Sequence, residues 1–416
     1  MSESARGHEG RELIAAVDPH TSRRAVSAAA VRTPTIHCED LGELAATATA
    51  LKAECLQSTG SFKLRGALSK LAALGDRVGA GVVTASAGNH ARALAHAARL
   101  RGVGCEVFMP SDAAVSKVAS VEELGARVHL EGSSIEQALD RATEWADASG
   151  ATFVHPFDDL DVIAGQATLG LELLEDVPDL ARVVVPVGGG GLASGIGIAL
   201  RRERADVELI GVQAQACAPL VAELGGGLPT GAAAQSATGA TVADGIAVKR
   251  PGALTLPLLR ELLDGIQTVT EDEIADAIVF LAERAKLVAE GAGAVAAAVL
   301  MRGRLPALPG TTVAIVSGGN VDSGLLAGLL LRHETEEGRR VRIFTRVADR
   351  PGGLAELLNL IARARVNVLS VEHVREAVHL PVRETGVELT LETRGPAHTE
   401  EVLALLRGAG YEVEVR

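Results

Sequence analysis

Short apolar runs alternate with helix-length amphipathic stretches over most of the chain. Runs at 81–84, 105–109, 126–130, 151–154, 182–187, 207–212, 266–270 and 311–316 predict strands, with another short strand at 47–54. Between them, 91–101, 133–148, 162–174 and 271–286 carry apolar residues at helical spacing. Near-continuous valine and isoleucine strands separated by helices predict the α/β class, with mostly parallel sheet covered on both faces. The pattern breaks at the charged segment 333–340, where a linker is expected at 336–340. Beyond it the order is strand 341–347, helix 354–364, strands 366–373 and 385–392, helix 399–408 and strand 411–415. That βαββαβ order predicts a small ferredoxin-like module, suited to regulation or assembly. Residues 1–29 are polar and charged at their start and are expected to form a loose N-terminal tail.

Composition narrows the class further. The 416 residues are 47% hydrophobic with 46 glycines and 2% aromatics, so the core is built from Ala, Val and Leu. A formal net charge of -13 disfavours nucleic acid and anionic membranes as partners. Cys38, Cys55, Cys105 and Cys217 show no paired spacing and predict small buried hydrophobes in a reducing compartment, with no metal site. There is no apolar run resembling a signal peptide near the start, and the Ala-rich stretch 291–301 is too short to span a bilayer. A cytoplasmic location is expected.

Lysine occurs only at Lys52, Lys63, Lys70, Lys117, Lys249 and Lys286. Lys63 follows the turn Ser58-Thr59-Gly60-Ser61-Phe62 and opens a helical pattern carried by Leu64, Ala67, Leu68 and Leu71. Helix-terminal amides disfavour extra positive charge, so a lysine there is suited to act as a neutral, imine-forming amine; the alternative is a surface lysine on an amphipathic helix. Ser61 is open between a helix cap and a ligand contact.

Three further segments bear chemistry. Val183 to Val187 lead into Gly188-Gly189-Gly190-Gly191-Leu192, where amides free of Cβ obstruction meet a helix start. This is an anion cradle suited to phosphate, or only a tight strand-helix joint. It lacks the Lys-Ser/Thr pair of a Walker loop and the GxGxxG spacing of a dinucleotide site. Thr84-Ala85-Ser86-Ala87-Gly88-Asn89-His90 offers donors for a carboxylate or ring hydroxyl, or else plain N-capping by Ser86 or Asn89. Val313 to Val316 deliver the Ser317 hydroxyl at a strand end, before Gly318-Gly319-Asn320. An imine-forming lysine, a phosphate cradle, a hydroxyl and a carboxylate loop together form the contact set of pyridoxal 5′-phosphate.

On these segments, with Arg32-Thr33-Pro34 and Ala289-Glu290-Gly291-Ala292-Gly293, the chain resembles the threonine dehydratases (threonine ammonia-lyases). These belong to the tryptophan-synthase-β-like, fold-type II group of pyridoxal-phosphate enzymes. The segments occur in the family's order from residue 30 to 330, and the tail with Asp349-Arg350-Pro351-Gly352-Gly353 resembles an ACT regulatory domain. The resemblance implies two open, twisted, mostly parallel sheets in a catalytic region over 30–335, with a small subdomain at about 60–155 inserted in the larger one, and an ACT-like domain over 341–416. It implies that Lys63 is the catalytic lysine and forms the cofactor imine, with Phe62 beside it. Gly188, Gly189, Gly190, Gly191 and Leu192 would hold the phosphate, Asn89 the ring hydroxyl and Ser317 the ring nitrogen. Glu290 would lie beside the cofactor or in a structural ion pair. Ser86, Ala87, Gly88, Asn89 and His90 would take the substrate carboxylate. Asp349, Pro351, Gly352 and Gly353 are candidates for an amino-acid effector, and a homo-oligomer (dimer or tetramer) is expected.

The implied reaction is elimination of water and ammonia from L-threonine, and from L-serine, to a 2-oxo acid. The freed Lys63 takes the Cα proton. Ser317 cannot keep a pyridine nitrogen protonated as an aspartate would, which favours elimination over transamination. Serine racemases usually carry a serine at the position of Ala87, and threonine synthases an aspartate at that of Leu64; both differences favour a dehydratase. A serine racemase-like pyridoxal-phosphate enzyme and a catalytically silent amino-acid sensor are the other readings. Gln213 stands where some relatives place a metal-binding glutamate, and Ala167 replaces a glycine common in the family.

Overall fold

The computed structural model describes residues 3–224, 239–375 and 383–416. It divides into two compact units, Met1–Asp322 and Ser323–Arg416. In the first unit the strands are β1 Thr35–His37, β2 Thr49–Ala53, β3 Val82–Ala85, β4 Cys105–Met109, β5 Arg127–Leu130, β6 Thr152–Phe153, β7 Leu180–Pro186, β8 Glu208–Ala214, β9 Gly265–Val269 and β10 Thr311–Val316. Six of them form one sheet in the order β1-β2-β10-β7-β8-β9, parallel except for β1. The others form a parallel four-stranded sheet, β5-β4-β3-β6.

The central strands β7 and β10 are buried almost throughout, which is why their sequences read as unbroken apolar runs. Val183, Val185, Val313 and Ile315 join Ile196, Leu258 and Leu262 in the main core. Strand β10 runs beside both β2 and β7, with Val316 opposite Ala53. The C-terminal end of β10 therefore emerges beside the turn that precedes Lys63. The three residues of β1 carry too short an apolar signal to be read from sequence.

The N-terminal tail is not loose. Helices Glu3–Ala16 and Pro19–Ser27 occupy it, the second opened by Asp18, whose carboxylate accepts from the His20 amide at 3.0 Å. Val26 is buried in the core of the smaller sheet, and Ser22 Oγ meets Ser69 Oγ at 2.7 Å. Leu13 and Ile14 of the first helix pack against the main core, and these few apolar anchors among polar residues leave no clear hydrophobic period. Met1 and Ser2 lie outside the described residues.

Helix Ser323–Glu336 belongs to the second unit, and strand β11 Arg340–Ala348 begins after only three intervening residues. Helix Gly353–Arg363, β12 Asn367–Val374, β13 Glu384–Glu392, helix Pro396–Gly408 and β14 Val413–Val415 complete the βαββαβ order. Its antiparallel sheet runs β12-β13-β11-β14 over a core of Ile343, Leu357, Ile361, Leu389 and Leu406. No helix among the described residues is long and apolar enough to cross a membrane.

Candidate active site

The turn before Lys63 is sewn to the end of β10. Ser61 forms an isolated antiparallel bridge with Gly318, the Phe62 amide donates to Ser317 O at 3.1 Å, and the Gly319 amide donates to Gly60 O at 2.9 Å. Helix Lys63–Leu74 begins at once, and its N-cap position is Phe62, with no side-chain cap. Ser61 is thus not the cap: its fully buried Oγ has no partner among the described residues. Lys63 is half-buried, with Nζ donating to Pro156 O at 2.8 Å and lying 5.2 Å from the Phe62 ring centre. Burial pushes its amine down from 10.5 to about 8, against the opposing pull of Glu290. The surface-lysine alternative does not describe this residue.

The glycine turn lies between β7 and helix Gly191–Glu203. A Cβ at Gly188 would come within 2.9 Å of Ile246 Cα, one at Gly189 would enter the Phe157 ring, and Gly190 has a φ of +98°. Phe157 thus links this turn to Pro156, the acceptor for Lys63. Among the described residues, no acceptor is found for the backbone amides from Gly188 to Ala193. Most of these amides are buried, and buried N–H groups rarely go unpaired unless a ligand completes them. Asp158, the neighbouring acid, is already committed: its carboxylate accepts from the amides of Ala253, Leu254 and Thr255. Thr255 Oγ1 in turn donates to Gly189 O at 2.6 Å. A rigid, anion-ready cradle results, with the donor set a phosphate needs.

The loop after β3 presents Ser86, Ala87 and Gly88 half-buried ahead of helix Asn89–Arg101. Gly88 takes the N-cap position without a side-chain cap, so neither Ser86 nor Asn89 serves as one. Asn89 Nδ2 donates to Glu290 Oε1 at 2.6 Å, while Asn89 Oδ1 accepts from Asn320 Nδ2 at 2.7 Å. Burial and then the Asp244 carboxylate push Glu290 up to about 7, although the Asn89 bond, Lys117 and Lys63 oppose this. The hydrogen bond of Glu290 runs to an amide, not to a cation. His90 is turned away: its Nε2 meets Val154 O at 3.1 Å, and burial, with Lys63 nearby, pushes it down to about 3. It is a neutral brace, so the loop offers a carboxylate chiefly its backbone and the Ser86 and Asn89 side chains. Ser317 is buried and its Oγ lies 3.3 Å from Ala292 O, a long contact that leaves the hydroxyl proton free to re-aim.

Sequence reasoning assigned no role to Asn320, Pro156, Phe157, or the buried ion network of Arg65 and Glu54 behind Lys63. Carbonyl acceptors and ring contacts carry no sequence signal, whereas Asn320 closes the Ser317-Gly318-Gly319-Asn320 segment. Gln213 is explained by its own amide: Nε2 donates to Val187 O at 3.1 Å, and Oε1 accepts from Leu220 and Val221 amides. Among the described residues, no cluster of His, Cys, Asp or Glu could hold a metal ion. Ala167 places its methyl against Leu171 and Ala199, between two helices. In the second unit a cavity of about 390 Å³ is lined by Asp349, Arg350, Gly352, Leu358, His373 and Arg375, among others. Pro351 is exposed and Gly353 is buried against Ala348, and neither lines that cavity.

Residues 26–318 match the family described as pyridoxal-phosphate dependent enzyme, and residues 341–410 match the ACT domain. The chain is 43% identical to the L-threonine ammonia-lyase of Thermotoga maritima over 404 residues, 97% of this chain and 100% of that protein. It is 42% identical to the L-threonine dehydratase catabolic TdcB of Escherichia coli over 275 residues, 65% of this chain and 82% of that one. Among solved structures, maize serine racemase superposes with a TM-score of 0.67 at 32% identity, covering 76% of this chain and 98% of that one. The processed form of threonine deaminase isoform 2 from Solanum lycopersicum gives 0.67 at 29% identity, covering 79% and 88%.

Proposed function

The chain belongs to the pyridoxal-phosphate-dependent enzyme family and carries a C-terminal ACT domain, and from that membership we propose that it converts L-threonine, and L-serine, to the 2-oxo acid and ammonia. The observation that carries this reading is a partly buried Lys63, its amine pushed down to about 8 and bonded to Pro156 O, next to the Phe157 that packs on a glycine turn whose amides lack acceptors among the described residues. The amides of Gly188 to Leu192 would hold the cofactor phosphate, Asn89 its ring hydroxyl and Ser317 its ring nitrogen. The loop from Ser86 to His90 would hold the substrate carboxylate.

When bound, the cofactor supplies an electron sink that makes the substrate Cα–H acidic. Lys63 Nζ, already neutral for a large fraction of the time near pH 8, receives that proton. Pro156 O fixes where the amine sits, and the Phe62 ring shields one side of it. Ala87 offers no proton donor from the loop side, which argues against racemisation despite the likeness to a serine racemase. Ser317 supplies a neutral hydroxyl instead of a carboxylate. In the ACT domain, Asp349, Arg350 and Arg375 place charges of both signs around one cavity, suited to a zwitterionic amino-acid effector.

Purified chain supplied with pyridoxal phosphate is expected to release 2-oxobutyrate and ammonia in equal amounts from L-threonine, with kinetics altered by isoleucine or valine. Absence of 2-oxo acid from both L-threonine and L-serine would overturn the reading. The pH dependence follows from the amine. A protonated amine is no nucleophile, so cofactor uptake by the free chain should rise with pH and level off above about 8. A rise continuing to the ordinary lysine value of 10.5 would contradict the burial argument.

A further inference from the structure

We propose that Asn320 is a positioning residue that fixes the polarity of the Asn89 amide, so that Asn89 offers its NH₂ group to Glu290 and keeps its oxygen away. The inference rests on Asn89 and Glu290 belonging to the cofactor site proposed above. The two ends of an asparagine amide are alike in size, so packing alone does not select between them. Something of fixed polarity must decide, and here it is a backbone carbonyl. Thr59 O can only accept, and it receives Asn320 Nδ2 at 2.9 Å. The same NH₂ group donates to Asn89 Oδ1 at 2.7 Å, which leaves Asn89 Nδ2 facing Glu290 Oε1 at 2.6 Å.

Thr59 is itself held by the turn, whose Gly60 has a φ of +77° and donates to Gln57 O at 2.7 Å. The Asn320 amide fills the space where any Gly60 side chain would stand. Glu290 cannot set the polarity unaided. Burial brings its carboxyl to about 7, so near neutrality it is present both as an acceptor and as a donor. Reversing Asn89 would set its NH₂ group against that of Asn320. Asn320 thus breaks the tie.

The test is a double-mutant cycle read by titrating cofactor-free chain with pyridoxal phosphate and following absorbance, with kcat and KM for L-threonine measured in parallel. Asn320→Leu is expected to weaken cofactor binding about tenfold, the scale of one lost hydrogen bond. In an Asn89→Ala background the same change should weaken it by less than about twofold, because the residue it acts through is gone. The kcat should fall with KM nearly constant. Asn320→Asp, of the same size but without the donors, carries the same cycle if the leucine variant fails to fold. Equal weakening in both backgrounds, or none in the first, would overturn the proposal. The parent chain, titrated alongside, reports separately on the cofactor-site reading itself.

Discussion

Replacing Lys63 with alanine is expected to lower turnover of L-threonine by at least about 10³-fold, the scale on which removing a group that both bonds covalently and moves a proton is felt. Of the six lysines, it alone opens a helix behind the turn bridged to the end of β10, with its amine on Pro156 O next to the Phe157 that packs on the glycine turn. Lys63→Arg should be equally inactive, because a guanidinium stays charged at any working pH and cannot act as a neutral amine. Unfolding would not account for the loss. Lys63 titrates lower in the folded chain than in the unfolded one, so the charged amine weakens the fold at every pH below its unfolded value. The alanine variant without cofactor should therefore melt no lower than the parent. A variant that retained full turnover would refute the role given to this lysine.

The second large effect concerns Arg65, two residues on, and is read in stability. Arg65, Glu54 and Lys52 are fully buried. Arg65 grips Glu54 with bonds of 2.9 and 2.8 Å and Glu172 with bonds of 2.7 and 2.9 Å. Lys52 Nζ completes the cluster, 2.8 Å from Glu172 and 3.1 Å from Asp176, and Thr33 Oγ1 donates to Glu54. Arg65→Met would leave Glu54 in the core without its bidentate partner, at a cost of about 3–5 kcal/mol. Against a typical total of about 5–15 kcal/mol, that is enough to unfold the chain in moderate urea.

The sign with pH also differs between parent and variant. In the parent, burial raises the Glu54 carboxyl, but Arg65, Thr33 and Lys52 outweigh it and hold it below its ordinary 4.5. Its contribution is therefore present above that value and lost as pH falls through the lower, folded one. Without Arg65 the burial effect dominates and the folded value rises. The unfolding free energies of parent and variant from urea titration should then draw together as pH falls from 7 towards 5, by about 1 kcal/mol or more. A variant with the parent's midpoint at pH 7 would show that the network contributes nothing.

Much of this was legible in the chain because the signals are local and rare. Strands β4 and β10 coincide with their apolar runs, since Val313 to Val316 are buried on both faces and leave no polar position to blur the ends. Four consecutive glycines after a buried strand have few uses, and a lysine behind a Gly-Ser turn has fewer when lysines are scarce. The N-terminal helices were not legible, because Leu13, Ile14 and Val26 are too few and too widely spaced among polar residues to set a helical period. The Asn320–Asn89–Glu290 chain was beyond reach for a different reason: its bonds join residues 231 and 201 positions apart, and amide polarity has no signature in sequence. The Arg65 network likewise joins residues 11 and 107 positions apart. Sequence named the groups proposed to meet the cofactor, while the structure shows the bonds that hold Asn89 and the turn before Lys63 in place.

The central claim is that Lys63 is where this chain carries its cofactor. Borohydride reduction of the holoenzyme, followed by peptide mass mapping, tests it most directly. The account predicts one pyridoxyl group per chain, on the peptide containing Lys63 and absent from those containing Lys52, Lys70, Lys117, Lys249 and Lys286. A pyridoxyl group on any of those five, with Lys63 unmodified, would contradict it.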